Sequence, residues 1–458
     1  MKDKLKNILI ELNNFAKQNN ITAEFLLHAE KGNLIRLANS AVSLNTTEEQ
    51  IKLTVTAHRG RKLGTFNLVT DLLSINKMKN AIVAADENAK NADEVNYDIT
   101  LKPFTSLPDD DKNFDAELAN MSSTEKLDFI NKAINGLENN DIVLSGIFST
   151  GAIWQAFANT LSDNIAYYSI SDGQVSFELV HAKEKWEIAA GQSAVAKNDL
   201  NPKNIKNQLA ELLDFYKNSS PEIIEPGNYD VILSADALAE LIGIMEWIGF
   251  TGDLFKRKMS FLRDEHIGKK VFDDKLSIID NPNCRETFPR AFDYNGNSRS
   301  VFPLVENGVF KQFMWQRDSA DEFNQNETAH DVPGLNIVIK PGNKKINSLK
   351  ELAKENDAKT LFIPHLHYMN IVNITEGKIT SCSRFGALLF DNDKIKVPFN
   401  FRLTDTFFNL FKNIEWIADE TVAVNTSGSY GMRSPTAVLA PKFIKLKNIN
   451  IPHSNKSF

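Results

Sequence analysis

Turn dipeptides punctuate the second half of this chain so often that long regular elements have little room there. Asn295-Gly296, Asn307-Gly308, Pro341-Gly342, Glu376-Gly377 and Asp391-Asn392 recur between short apolar runs. Each supplies residues that enter a tight turn at little steric cost. Such spacing dictates short strands, with helices at residues 235–249, 348–355 and 405–417.

The first half has a different rhythm. Residues 1–20 carry Leu5, Ile8, Leu9, Leu12 and Phe15 on one side of an amphipathic helix. Residues 24–44 alternate polar and apolar around Lys31-Gly32-Asn33, which predicts a hairpin turning at that glycine. A strand at 51–57 enters a turn at Arg59-Gly60-Arg61 and continues over 62–69. Helical spacing through Leu72, Ile75, Met78, Ile82 and Ala85 predicts a helix over 71–91, and the acidic stretch 93–115 reads as a long loop. A helix over 122–140, capped by Ser123 or Thr124, precedes strands at 141–149, 151–159 and 165–183, then a helix at 202–217. Turn chemistry at Asn218-Ser219-Ser220-Pro221 and Glu225-Pro226-Gly227-Asn228 marks a boundary, followed by a strand at 229–233. The expected architecture is α+β: an N-terminal α/β domain of hairpin strands and helices over 1–220, and a C-terminal β-rich domain with a few helices over 221–458.

At 458 residues the chain exceeds one ordinary core. No run approaches the roughly 18 apolar residues that span a bilayer, and the N-terminus has no signal-peptide pattern. Cys284 and Cys382 cannot build a disulfide framework and read as free thiols. These features predict a cytoplasmic protein without membrane contact. A net charge of −7 argues against direct nucleic-acid binding, and the basic clusters at 58–62 and 256–258 read as solvated surface.

Few residues announce chemistry by themselves. His365-Leu366-His367 sits in an apolar run; on a strand both imidazoles share a face, as a metal pair or as ordinary sheet histidines. Asp264-Glu265-His266 and His330-Asp331 place unlike groups side by side, where neither regular element lets them face each other, and read as surface loops. Residues 146–151 lack the Lys-Ser/Thr of a phosphate cradle, and no dinucleotide fingerprint or nucleophile elbow is present.

The order of segments is more informative. Leu34-Ile35-Arg36-Leu37-Ala38-Asn39-Ser40, Arg61-Lys62-Leu63-Gly64-Thr65 and Ala84-Ala85-Asp86-Glu87-Asn88-Ala89-Lys90 are followed by Val231-Ile232-Leu233-Ser234, Gly252-Asp253 and Ser260. Then come Ile278-Ile279-Asp280-Asn281-Pro282, Phe292-Asp293-Tyr294-Asn295-Gly296, Pro435-Thr436-Ala437-Val438 and a strand at 443–451. Over nearly the whole chain this order resembles the TldD/PmbA family, once labelled modulators of DNA gyrase and understood as metallopeptidase-type proteins. In TldD-like members a His-Glu-x-x-x-His helix and a later Cys loop hold zinc, whereas PmbA-like (TldE) members lack these ligands and pair with the first kind. Two imidazoles and a thiolate leave a position open for water, with the Glu as general base. Five-residue spacing of the imidazoles calls for a local distortion of the helix, such as a π-type bulge.

Aligned through 231–234 and Gly252-Asp253, the resemblance puts Gly243 and Ile244 at the His-Glu pair and Ile248 at the second His. The Cys loop falls near 426–430, with Ser427 at or near the thiol position. None of the four supplies an imidazole, a carboxylate or a thiolate, so the expectation is a chain with no cofactor of its own, zinc being expected only in a TldD-like partner. Phe288, Arg290, Phe292, Trp315 and Arg317 are candidates for lining a peptide cleft, or alternatively for core. Three functions stand open: a metal-free subunit of a TldD/TldE-type peptidase acting on unfolded or leader peptides, a homodimeric peptide-binding scaffold, and an independent hydrolase using His365 and His367.

Overall fold

The computed structural model describes all residues except 72, 218, 347, 356–358, 393, 429–430 and 457–458. It is about one quarter helix and two fifths strand, an α+β protein. The amphipathic start forms α1 (Lys2–Gln18), and three antiparallel strands follow: β1 (Thr22–Ala38), β2 (Ala41–Arg59) and β3 (Lys62–Thr70). The predicted turn at Gly32 is not there. β1 runs straight through it, and the chain reverses at Asn39 and Ser40, whose φ values are +50° and +60°. Two consecutive left-handed residues make a tight hairpin turn whose twist matches the strands. Gly32 and Gly151 were misread for the same reason: a glycine inside a strand looks like a break.

After α2 (Ile75–Asn91) the chain makes a short strand β4 (Asp110–Asn113) and one-turn helix α3 (Ala116–Ala119), so the expected long loop holds regular structure at its end. Helix α4 (Ser123–Ile134) is capped by Ser122, one residue before the first forecast cap. Ser122 accepts from the Glu125 N–H, and Glu125 reaches back to Ser122, a reciprocal capping box. Strands β5 (Ile142–Asn159), β6 (Ala166–His181) and the unforeseen β7 (Glu187–Ala194) precede α5 (Pro202–Tyr216). The sheet order is β3-β2-β1-β5-β6-β4, with β7 also on β6.

Strand alternation divides this sheet into two working faces. Odd positions of β1 (Ala23, Phe25, Leu27, Ile35, Leu37) are buried with α1, α2 and α4. Even positions (Glu24, His28, Glu30, Gly32) face the second half of the molecule and carry its polar contacts.

The second half opens on β8 (Gly227–Ser234), which pairs parallel with Thr360–Ile363 and antiparallel with Phe443–Ile451 in a six-stranded sheet. A second six-stranded sheet and a four-stranded one complete it. The expected helix over 405–417 is instead a strand (Phe401–Thr406), one helical turn (Phe407–Leu410) capped by Thr406, and another strand (Ile414–Ile417). Phe407, Leu410 and Phe411 mimic helical spacing, but pairing of the flanking segments with other strands overrides it. The halves share a core in which Ile205, Leu209, Ile232, Phe362 and Phe443 are all buried. Among the described residues no helix is long and apolar enough to cross a membrane.

Candidate functional site

Helix α6 (Ala235–Met245) starts directly from β8. Ser234 caps it, accepting the Ala237 N–H at 3.2 Å while its hydroxyl donates to the Pro364 carbonyl. Leu238, Leu241, Ile242 and Met245 are fully buried, as their spacing predicts. The helix then widens into a π turn at Glu246–Phe250. This is the kind of distortion that five-residue ligand spacing calls for. The backbone therefore has the distortion that the resemblance implies, while the side chains at the matched positions do not fit a metal. Gly243 has open space where a Cβ would stand, Ile244 is half-buried against the core, and Ile248 is fully buried in it. Among the described residues no group of three His, Cys, Asp or Glu side chains is placed to hold an ion. Past the π turn, the Trp315 ring lies on Gly252, where a Cβ would come within 2.6 Å of it. That contact gives a steric reason for the glycine of Gly252-Asp253.

The π turn carries a carboxyl of its own. Burial and the nearby Asp280 charge push Glu246 up to about 8. Asp280 anchors a buried polar cluster: Arg299 Nη2 lies 2.5 Å from its Oδ2, His330 Nε2 lies 3.1 Å away, and the Asn336 N–H donates to Oδ1 at 2.8 Å. His330 is therefore not a surface-loop residue. It is 5% exposed, and its partner lies fifty residues earlier in the chain.

His365 and His367 do share a strand face, with Cys382 opposite His367 in register. Burial holds both imidazoles below their usual value, and Arg384 Nη1 lies 3.1 Å from His367 Nδ1. The guanidinium donates to Nδ1, which in the neutral ring leaves the proton on Nε2 and so no free lone pair there for a metal.

Phe288, Arg290, Phe292 and Arg317 sit between the halves, and Trp315 packs within the second. Phe288 and Arg290 are fully buried, and Phe292 packs edge-on against Phe157 and Tyr168 of the N-terminal sheet. Trp315 is 8% exposed, and Arg317 donates to both oxygens of Glu24 at 2.5 and 3.0 Å. In this closed chain these side chains face other parts of the protein.

Arg290 starts a circuit that sequence reasoning missed. Its Nη2 donates to the Pro435 carbonyl at 3.1 Å and its Nε to Tyr168 Oη at 3.2 Å. Tyr168 donates to Gln155 Oε1, and Gln155 Nε2 donates to His28 Nδ1 at 2.7 Å. His28 Nε2 then donates to Glu30 Oε2 at 2.7 Å, which also accepts the Arg433 N–H at 2.7 Å. Both ends of the circuit thus fall on the segment 433–435. The Arg433 side chain turns into the sheet: Nε and Nη2 donate to the two Asp172 oxygens at 2.6 and 2.8 Å, and Nη1 donates to Ser149 Oγ at 3.2 Å. Burial pushes the Asp172 carboxyl up, and the Arg433 charge opposes that. Nearby, Lys126 Nζ donates twice to Asn33 at 2.6 Å. Burial and the Arg433 charge lower it to about 7.

Residues 427–428 and 431–435 line one side of a cavity of about 360 Å³ whose other side is β1 and its neighbouring strands. Ser427, at the position matched to the family's thiol, lines it and donates to the Thr436 carbonyl at 3.3 Å; Ser429 and Tyr430 of the expected loop lie outside the described residues. The signal for this site was available as Gly32 and Gly151 inside otherwise strand-like runs, which mark close backbone approach as readily as turns.

Three solved structures share the fold across almost the entire chain. TldE from Thermococcus kodakarensis has a TM-score of 0.78 at 17% identity, covering 97% of this chain and all of that one. A candidate modulator of a DNA gyrase from Thermotoga maritima has a TM-score of 0.75 at 19% identity, covering 98% of this chain and all of that one. A similarly described protein from Bacteroides thetaiotaomicron has a TM-score of 0.81 at 15% identity, covering 98% of each. No curated protein matches this chain in sequence. Residues 226–452 match the family described as PmbA/TldA metallopeptidase C-terminal domain. With β8, α6 and the 426–436 segment all inside that match, residues 226–452 belong to the TldD/PmbA family as its C-terminal domain.

Proposed function

We propose that this chain is the metal-free, PmbA/TldE-like subunit of a two-component cytoplasmic peptidase. A TldD-like partner supplies zinc and performs hydrolysis on unfolded or leader-type peptides, and this chain closes the chamber and helps hold the substrate. The observation that supports the reading is the contrast within 235–250: the helix and π turn are in place, while Gly243, Ile244 and Ile248 occupy the positions that the resemblance assigns to ligands and base. An aliphatic side chain cannot coordinate an ion or move a proton. The fold likeness to TldE supports the same assignment.

The test is co-expression with a TldD-like protein from the same genome. The expected outcome is a stable complex carrying zinc, with peptidase activity absent from this chain alone. Metal analysis of this chain by itself decides the central point, since stoichiometric zinc would overturn it. Recovery of a self-dimer that binds peptide and ignores the partner would favour the homodimeric scaffold. Peptidase activity of the isolated chain that disappears in His367→Ala would favour the independent hydrolase.

A further inference from the structure

A salt bridge that merely pins a loop needs a carboxylate and a cation. The seat of Arg433 has more. Gly32 and Gly151 are direct cross-strand partners, and Gly151 pairs in turn with Asp172. The three therefore form one row across β1, β5 and β6. A Cβ on Gly32 would stand 2.6 Å from Arg433 Nη1, and one on Gly151 would stand 2.8 Å from its Cζ. The two glycines leave a trough as deep as a guanidinium is thick, closed at one end by a carboxylate that takes the fork bidentately. Glycine inside a strand weakens it, so a trough of this kind implies a backbone approach that the fold requires.

The segment lying in the trough is also gripped by its main chain. Glu30 accepts the N–H of Arg433, and Arg290 donates to the C=O of Pro435. Reading a side chain in a pocket and the flanking backbone at both ends is how extended peptides are recognised. The cavity continues beyond the guanidinium over Leu34, Arg36, Ile147 and Gln174, leaving room for residues next to the arginine. We propose that the Gly32–Gly151 trough is a binding seat for the arginine side chain of an extended peptide, filled in the free chain by the protein's own Arg433. A lysine would fit poorly, because a single ammonium cannot satisfy both oxygens of Asp172 in the fork geometry. The tethered arginine competes from high effective concentration, so external peptide binds the wild type only weakly. The inference rests on the reading of this chain as a peptide-handling subunit, and names which peptides it would hold.

The test uses the full chain alone and measures binding, so it does not depend on a metallopeptidase partner or on zinc. A fluorescein-labelled peptide Gly-Met-Arg-Ser-Pro-Thr is titrated by polarisation into wild type and Arg433→Ala. The expected result is at least tenfold tighter binding to the variant. The same peptide with Lys or Ala in place of Arg should bind it at least tenfold more weakly, and adding Asp172→Asn should erase the difference. No binding to a folded Arg433→Ala chain, or equal binding of the Arg and Ala peptides, overturns the proposal. Arg433→Gln serves if the alanine variant does not melt cooperatively. If neither folds, the wild type at millimolar peptide decides: saturable binding that needs the peptide's arginine supports the seat, and its absence overturns it.

Discussion

The helix α6 with its π turn and the trough beneath 433–435 differ in what their side chains are doing. In α6 and its π turn the backbone has a form suited to two ligands five residues apart, and the residues at positions 243, 244 and 248 are a glycine and two isoleucines. In the trough beneath 433–435 the side chains are fully engaged, down to each donor nitrogen of one guanidinium. At the three matched positions the first has geometry without ligating side chains, while the second has donors already satisfied. Helix geometry here does not depend on a bound ion, because hydrophobic packing of Leu238, Leu241, Ile242 and Met245 sustains it. The trough has no such independence, since each of its parts exists to meet another.

That difference sets the largest expected effect. Arg433→Ala leaves the Asp172 carboxylate, 6% exposed at its side chain, without its partner. Losing one member of such a pair costs about 3–5 kcal/mol. Urea denaturation should show the full loss for Arg433→Ala. It should show less for Asp172→Ala, because the longer arginine, 16% exposed, can reach water. Equal small losses, below about 1 kcal/mol, would put the trough in the same class as an exposed ion pair.

The next effect tests the helix side of the comparison through pH. Glu246 sits near 8 in the fold against an ordinary value of 4.5. Between those values the folded state holds more protons than the unfolded state, so stability falls as pH rises through the window. The slope is at most about 1.4 kcal/mol per pH unit, giving a loss of about 1–2 kcal/mol between pH 6 and 7.5. Glu246→Gln keeps the shape and removes the titration, so its melting temperature should lose that part of the decline. A variant with the wild-type slope would mean that the π turn leaves Glu246 in water.

How much of this was legible in the sequence follows from the range of the forces involved. The class, the amphipathic α1, the strand into α6 and the apolar face of that helix were readable because periodicity and capping are local. The hairpin turn was misplaced because Gly32 offers two readings, a turn or a close approach, and only the position of Arg433 four hundred residues away decides between them. His330 was read as surface for the same reason, its partner Asp280 lying far off in sequence. The segment 405–417 failed differently: Phe407, Leu410, Phe411 and Ile414 satisfy a helical template, but pairing of the flanking strands outweighs a single helical turn. The peptide-cleft candidates were correctly seen as large and arginine-rich, yet sequence could not show that the N-terminal sheet covers Phe288, Arg290 and Phe292.

The smallest effect is the one that best separates the two regions. A Cβ on Gly243 meets nothing within 4 Å, whereas a Cβ on Gly32 strikes Arg433. Gly243 lies inside a regular helix, where glycine is less favourable than alanine because it orders more backbone freedom. Gly243→Ala should therefore raise stability, by about 0.5–1 kcal/mol, and Gly32→Ala should lower it. Paired thermal melts of the two variants check both signs at once. If Gly243→Ala is destabilising, something must fill the space beside α6 that the free chain leaves open, and the helix face at Gly243 would then be reserved for contact rather than merely relieved of its chemistry.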